Sequence, residues 1–215
     1  VNEVAVLSAL RRVINGAQAF GVASNEQNDL LVAQNLPPYA ELARIGAGWQ
    51  VMDTSATAAV VVRPSTVAGL TLWNGEAAGG KTYVIDRVFA FNLVSTDAIA
   101  DWSVWGCVHP VGMAAPTADI TAIKNMNGYH SSYGGKAIVD TAATVLDNGW
   151  FPLDSVGSKV GNPGGVTPGT AIAIPIEGRL EIPPTAGFSI NIVASLVTWT
   201  FTHGFSWYEV QQTNE

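Results

Sequence analysis

Hydrophobic and polar positions follow two different periods along this chain, and the change falls close to residue 47. Val6, Leu10, Val13, Ala17 and Phe20 recur at 4-3-4-3 spacing, which puts them on one face of a helix. Gly16 weakens that helix and Gly21 closes it. Ser24-Asn-Glu-Gln27 matches a capping box, with Ser24 as N-cap and Gln27 reaching back, and Leu30, Leu31 and Gln34 continue a second short helix. Pro37-Pro38 stops it, because proline lacks an amide hydrogen and restricts the residue before it. Short amphipathic helices are marginal alone and need a surface on which to bury their stripe. Residues 1–46 are therefore expected to form a helical arm that packs on the rest of the chain or on a neighbouring subunit. Val6, Leu10, Val13, Ala17 and Phe20 would carry that contact.

From residue 49 the period is 2. Val60-Val-Val-Arg63 is a β-branched run, and Thr66–Trp73 alternates up to the turn dipeptide Asn74-Gly75. A long strand follows over Lys81–Val94. One parity holds Tyr83, Ile85, Arg87, Phe89 and Phe91, the other Val84, Asp86, Val88, Ala90 and Asn92. Neither set is polar throughout, which predicts cover on both faces: an opposite sheet on one, the arm or a neighbouring subunit on the other. Ala100–Val108 is the next strand, with Trp102 and Val104 on one face and Trp105 on the other. Residues 110–136 are unpatterned, Lys136–Leu146 reads as one or two strands, and Asn148–Gly169 reads as a long loop. Thr170–Glu177 is a strand in which Pro175 demands an edge position or a bulge. Arg179–Ile182, Phe188–Thr198 and Gly204–Val210 complete the set, with a double-proline turn at Pro183-Pro184.

Strands at this spacing, with turn signals between them and no helices after residue 46, exclude a parallel α/β fold. The expectation is an all-β fold: an antiparallel β-sandwich of jelly-roll type over 47–215, preceded by the arm at 1–46.

Composition then narrows the function. The chain has 215 residues, 48% of them hydrophobic and only 13% charged, about half the usual charged share. Such a chain either buries an unusual share of itself or leaves apolar surface exposed, and exposed apolar patches mark partners. An oligomer is expected. The net charge is −7 and the ten basic residues are scattered, so neither nucleic acid nor an acidic membrane surface is an expected partner. No run of 18 apolar residues predicts a membrane helix, and the first residues lack the basic-then-apolar pattern of a signal peptide. Cys107 is the sole cysteine, so no intrachain disulfide forms, and its apolar run Val104-Trp-Gly-Cys-Val108 reads as a buried small hydrophobe.

Candidate chemistry is sparse. His109, His130 and His203 are the only histidines, with no metal-ligand spacing among them, and each reads as partly exposed beside a turn. No nucleophile elbow or phosphate loop is present. Asp86, Asp101, Glu177, Glu181 and Glu209 lie on strands and include the residue types of a glycosidase pair, with nothing in the spacing to select two of them. No catalytic residue, metal or cofactor is expected. Of seven tryptophans, Trp102, Trp105, Trp199 and Trp207 sit inside strands and read as core or interface. Trp73, beside a turn, and Trp150, in the long loop, are the two candidates for stacking on a sugar ring.

The Arg179–Ser195 segment with Ile-Pro-Pro-Thr-Ala-Gly187, the terminal Phe205-Ser-Trp-Tyr-Glu-Val210, and Trp73-Asn-Gly-Glu76 before Gly79-Gly-Lys-Thr-Tyr-Val-Ile-Asp-Arg87 resemble jelly-roll structural proteins of tailed bacteriophage virions. The resemblance spans residues 55–210 and is one of style. It implies a capsid cement or decoration protein, or a tail or fibre component. Such a protein is typically a trimer attached to the major capsid or another virion protein by an N-terminal segment. The absence of a basic arm implies an outer position on the particle. The alternative is a carbohydrate- or receptor-binding module.

Overall fold

The computed structural model describes residues 39–94, 100–120, 122–128, 132–158 and 171–211. The arm residues Val6, Leu10, Val13, Ala17 and Phe20, and also His130, lie outside them. The chain divides into two compact units, Val1–Ala40 and Glu41–Glu215, and the elements below belong to the second, save the first residue of a short helix.

That helix, α1, spans Ala40–Arg44. Among the described residues eleven strands follow: β1 Gly48–Met52, β2 Thr57–Ala58, β3 Leu70–Asn74, β4 Lys81–Val94, β5 Ala100–His109, β6 Lys124–Asn125, β7 Ala137–Asp140, β8 Phe151–Ser158, β9 Ala171–Ile182, β10 Gly187–Ala194 and β11 Thr200–Gln211. They form two antiparallel sheets. The first has the order β6-β1-β11-β4-β9, with β2 also on β11, and the second β7-β3-β10-β5-β8. The main pairs are nested in sequence: β5 with β8, β4 with β9, β3 with β10, β1 with β11. The molecule is an all-β sandwich.

Alternation along the strands builds the core. Tyr83, Ile85 and Val88 of β4 and Phe201, Phe205 and Trp207 of β11 face inward from the first sheet, all fully buried. Leu70, Leu72, Trp102, Val104, Phe188 and Ile190 meet them from the second. Trp102 stacks on Phe201 at 4.9 Å between ring centroids and Phe188 on Phe205 at 5.6 Å. Each such side chain contributes about 1.5–3 kcal/mol by leaving water. Trp102 and Trp207, within strands, and Trp199, just before β11, are core, while Trp105 is half-buried beside the Cys107 cluster on the outer face of the second sheet.

A third layer covers part of the second sheet. Cys107 points to that sheet's outer face, away from the main core, and packs with Ala68, Ala143, Val145 and Trp150 in a separate apolar cluster. The Trp150 indole donates to the Ser65 carbonyl at 2.8 Å, which fixes the covering segment.

Three local expectations change. The expected loop at 148–169 holds strand β8. Pro152 and Gly157 disguise it, and Pro152 is tolerated because β8 is an edge strand, with a register shift at that point. The run Val60–Arg63 is not a strand. Ala59 N–H donates to the Trp199 carbonyl, before β11, and Val60 N–H donates to Ile192 in the second sheet, so the chain is crossing between layers and one residue alone pairs. The two expected strands at 170–177 and Arg179–Ile182 are, over the described residues, one strand, β9 Ala171–Ile182, on the sheet edge. After Pro175 it bulges, with Glu177 and Gly178 at φ 55° and 77° and residues 176–179 set against Asp86 alone. Pro175 thus holds an edge and a bulge together.

Candidate interaction surface

Each end of the sandwich is closed by a buried polar cluster. At one end Glu209 of β11 accepts from Lys81 Nζ at 3.0 Å and from the Tyr133 hydroxyl at 2.6 Å. Tyr133 also accepts from the Ala137 amide at 2.8 Å, lies 3.4 Å from the Tyr83 hydroxyl, and meets Trp49 edge-on at 4.7 Å. Burial first, then the hydrogen bond to Glu209, holds the Tyr133 phenol far above its usual range; burial does the same for Tyr83. Asn74 ties the two sheets here, donating to the Lys81 carbonyl at 2.8 Å and the Ile182 carbonyl at 2.9 Å.

At the other end, Asp53 accepts from the Ser55 amide at 2.8 Å and the Thr57 hydroxyl at 2.9 Å. His203 of β11 lies with Nδ1 3.9 Å from Asp53 Oδ2, and both side chains are 1% exposed. Neither His203 ring nitrogen makes a well-formed hydrogen bond. Burial pushes its pKa below the usual value, outweighing the opposite pull of Asp53. His203 is thus a core residue, not a turn residue. His109 is buried too, on the outer face of the second sheet beneath the third layer. Its Nε2 lies 2.7 Å from Ser189 Oγ, which lies 2.8 Å from Thr71 Oγ1, and Cys107 Sγ is 4.0 Å from its Nδ1. Burial lowers the His109 pKa and raises that of Cys107. A serine against an imidazole has the composition of a nucleophile and base, but here Ser189 and His109 are 0% and 1% exposed. The cluster satisfies buried polar groups and rigidifies the sheet.

The other carboxylates are dispersed. Asp86 accepts from Ser206 at 3.1 Å on the outer face of the first sheet, Asp101 is exposed on β5, Glu177 meets Arg179 at 3.4 Å on the bulge, and Glu181 is exposed on β9. Among the described residues no three His, Cys, Asp or Glu side chains gather into a metal-binding group. Of the two stacking candidates, Trp150 is buried with its indole N–H already bonded. Trp73 is half-buried on the outer face of the second sheet, near Gly187.

What the surface does offer is apolar. Ile45, Met52, Val61, Val62, Val67, Val111, Leu146, Phe151 and Val197 are all large and exposed. The outer face of the first sheet carries Ala171, Ala173, Phe89, Phe91 and Met52 in adjacent register positions. An open groove of about 460 Å³ lies there, lined by Gln50, Met52, Thr54, Phe89, Ala122 and Lys124. Gly204 separates Met52 from Phe89 in the register, and a side chain on it would strike the Val51 carbonyl oxygen and Met52 Sδ. These features came from pairing between distant strands, so no sequence window displays them. The parity of Phe89 and Phe91 on a strand with no polar face was their one signal. Comparison with protein-family models and with curated proteins found no match for this chain.

Proposed function

We propose that this chain is a structural protein of a tailed-phage virion, a capsid cement or decoration protein on the outer surface of the particle that works as a homotrimer. The fold is read as a jelly roll. The nested pairing of β5/β8, β4/β9, β3/β10 and β1/β11 supports this, because it is one long antiparallel ribbon rolled into two sheets. The fold alone assigns no role. The observation that carries the role is the exposed apolar surface on a chain with only 13% charged residues. Subunit contacts that bury this surface, repeated by symmetry, would stabilise a shell without catalysis or cofactor. In this reading residues 1–46, through Val6, Leu10, Val13, Ala17 and Phe20, attach the protein to a major capsid or other virion protein. The carbohydrate-binding alternative retains Trp73 alone. Immunogold labelling of particles of the phage that encodes the chain tests the proposal. Gold over the capsid surface is expected, and purified particles that lack the protein would overturn it.

A further inference from the structure

The exposed apolar surface includes two patches of opposite charge on opposite faces of the sandwich. The first is the groove between β1, β4 and β6 on the outer face of the first sheet, about 460 Å³ in volume, with Met52 and Phe89 in its walls. Lys124 is the ionisable group in its lining, and exposed Arg87 follows Phe89 along the same face of β4. Among the described residues neither cation makes an ion pair. The second patch lies on the outer face of the second sheet, beyond the third layer. There a hollow of about 310 Å³ is lined by Val61, Asp101, Ser103, Ser155, Val193 and Ser195. The bend after Val60 holds Val61 and Val62 out in solvent, 50% and 68% exposed. Asp101 is the ionisable group in that lining, exposed and without an ion pair among the described residues.

We infer that these patches are the two halves of one heterologous contact between copies of this chain: the Val61–Val62 ridge of one copy seats in the Met52–Phe89 groove of the next, bringing Asp101 toward Lys124. The inference rests on the self-assembly reading above and names its contact. Two features select a second copy as the occupant. The two patches both present apolar side chains and carry opposite charges, Lys124 against Asp101, and both are present on the one chain. They also lie on different faces of the chain, so the contact is heterologous.

Charge reversal tests the pairing. Lys124 and Asp101 are exposed, so Lys124→Glu and Asp101→Lys leave the fold intact, which circular dichroism checks. Light scattering during size exclusion reads assembly. Each single variant should weaken association by about tenfold or more, and the double variant should recover it. Mixing the two single variants should restore association, because the reversed groove of one takes the reversed ridge of the other and the native groove takes the native ridge, so that the two variants alternate. Single variants that keep the wild-type assembly, or a double variant no better than the singles, would overturn this contact while leaving self-assembly standing. A wild-type chain that is a single copy at every concentration would overturn both.

Discussion

Tyr133 links four groups through one hydroxyl and one ring, and its removal is the most direct residue-scale test of how the sandwich end is held. Tyr133→Phe keeps the contact with Trp49 but strips the donor from Glu209 Oε1, whose other oxygen keeps Lys81, and the acceptor from the Ala137 amide. Leaving buried polar groups unpaired costs about 1–3 kcal/mol each, so urea unfolding should show a midpoint shift of that order, and an unchanged midpoint would refute the role. His203 and His109 set the pH response. Burial holds both below the histidine range in the folded chain, while the unfolded chain titrates near pH 6.5. On acidification the unfolded chain therefore takes up protons first. The stability tied to these residues is full above about pH 6.5 and is lost as pH falls from there through the folded-state values. The melting temperature should drop between pH 7.5 and 5.5, and His203→Gln should flatten the drop; a flat wild-type profile would contradict this. Neither role was legible in the sequence. His203 and Asp53 are 150 residues apart and meet because β11 pairs with β1. Asn74, which reads as half of a turn dipeptide, instead bonds two carbonyls across the sandwich.

At the scale of elements, the third layer and the β9 edge each make a separable claim. Trp150 anchors the segment that covers Cys107. Trp150→Ala should cost about 3–5 kcal/mol and, more specifically, expose Cys107 to a thiol reagent under native conditions. A thiol that stays protected would place the cover elsewhere. Pro175 removes an amide from the β9 edge, and the bulge behind it turns the strand out of register. Both blunt an edge against pairing with another chain. Pro175→Thr should raise concentration-dependent scattering, and a variant as soluble as the native chain would show that the edge needs no guard. Period 2 made the long strands and the core tryptophans legible, and Pro175 announced its own edge position. β8 stayed hidden because Pro152 and Gly157 are breakers anywhere but at an edge, and edge status is a property of the sheet, not of the segment.

For the whole molecule, the low charge content predicted exposed apolar surface, and the described residues carry it. Where that surface lies depends on which strands pair, so the groove and the ridge had no sequence signature of their own. Residues 42–47 bond within the sandwich body: the Arg44 and Gly46 carbonyls accept from Asn127 and Asn125 at 2.8 and 2.7 Å. A truncation that spares the sandwich is accordingly drawn after residue 40, at the boundary between the two compact units. The central claim is that this chain acts by binding copies of itself. Size exclusion with light scattering, on the full chain and on a chain lacking residues 1–40, measures it directly. A stable mass of three 22.5 kDa chains is the result expected for the full chain. A single-chain mass at all concentrations would contradict the account.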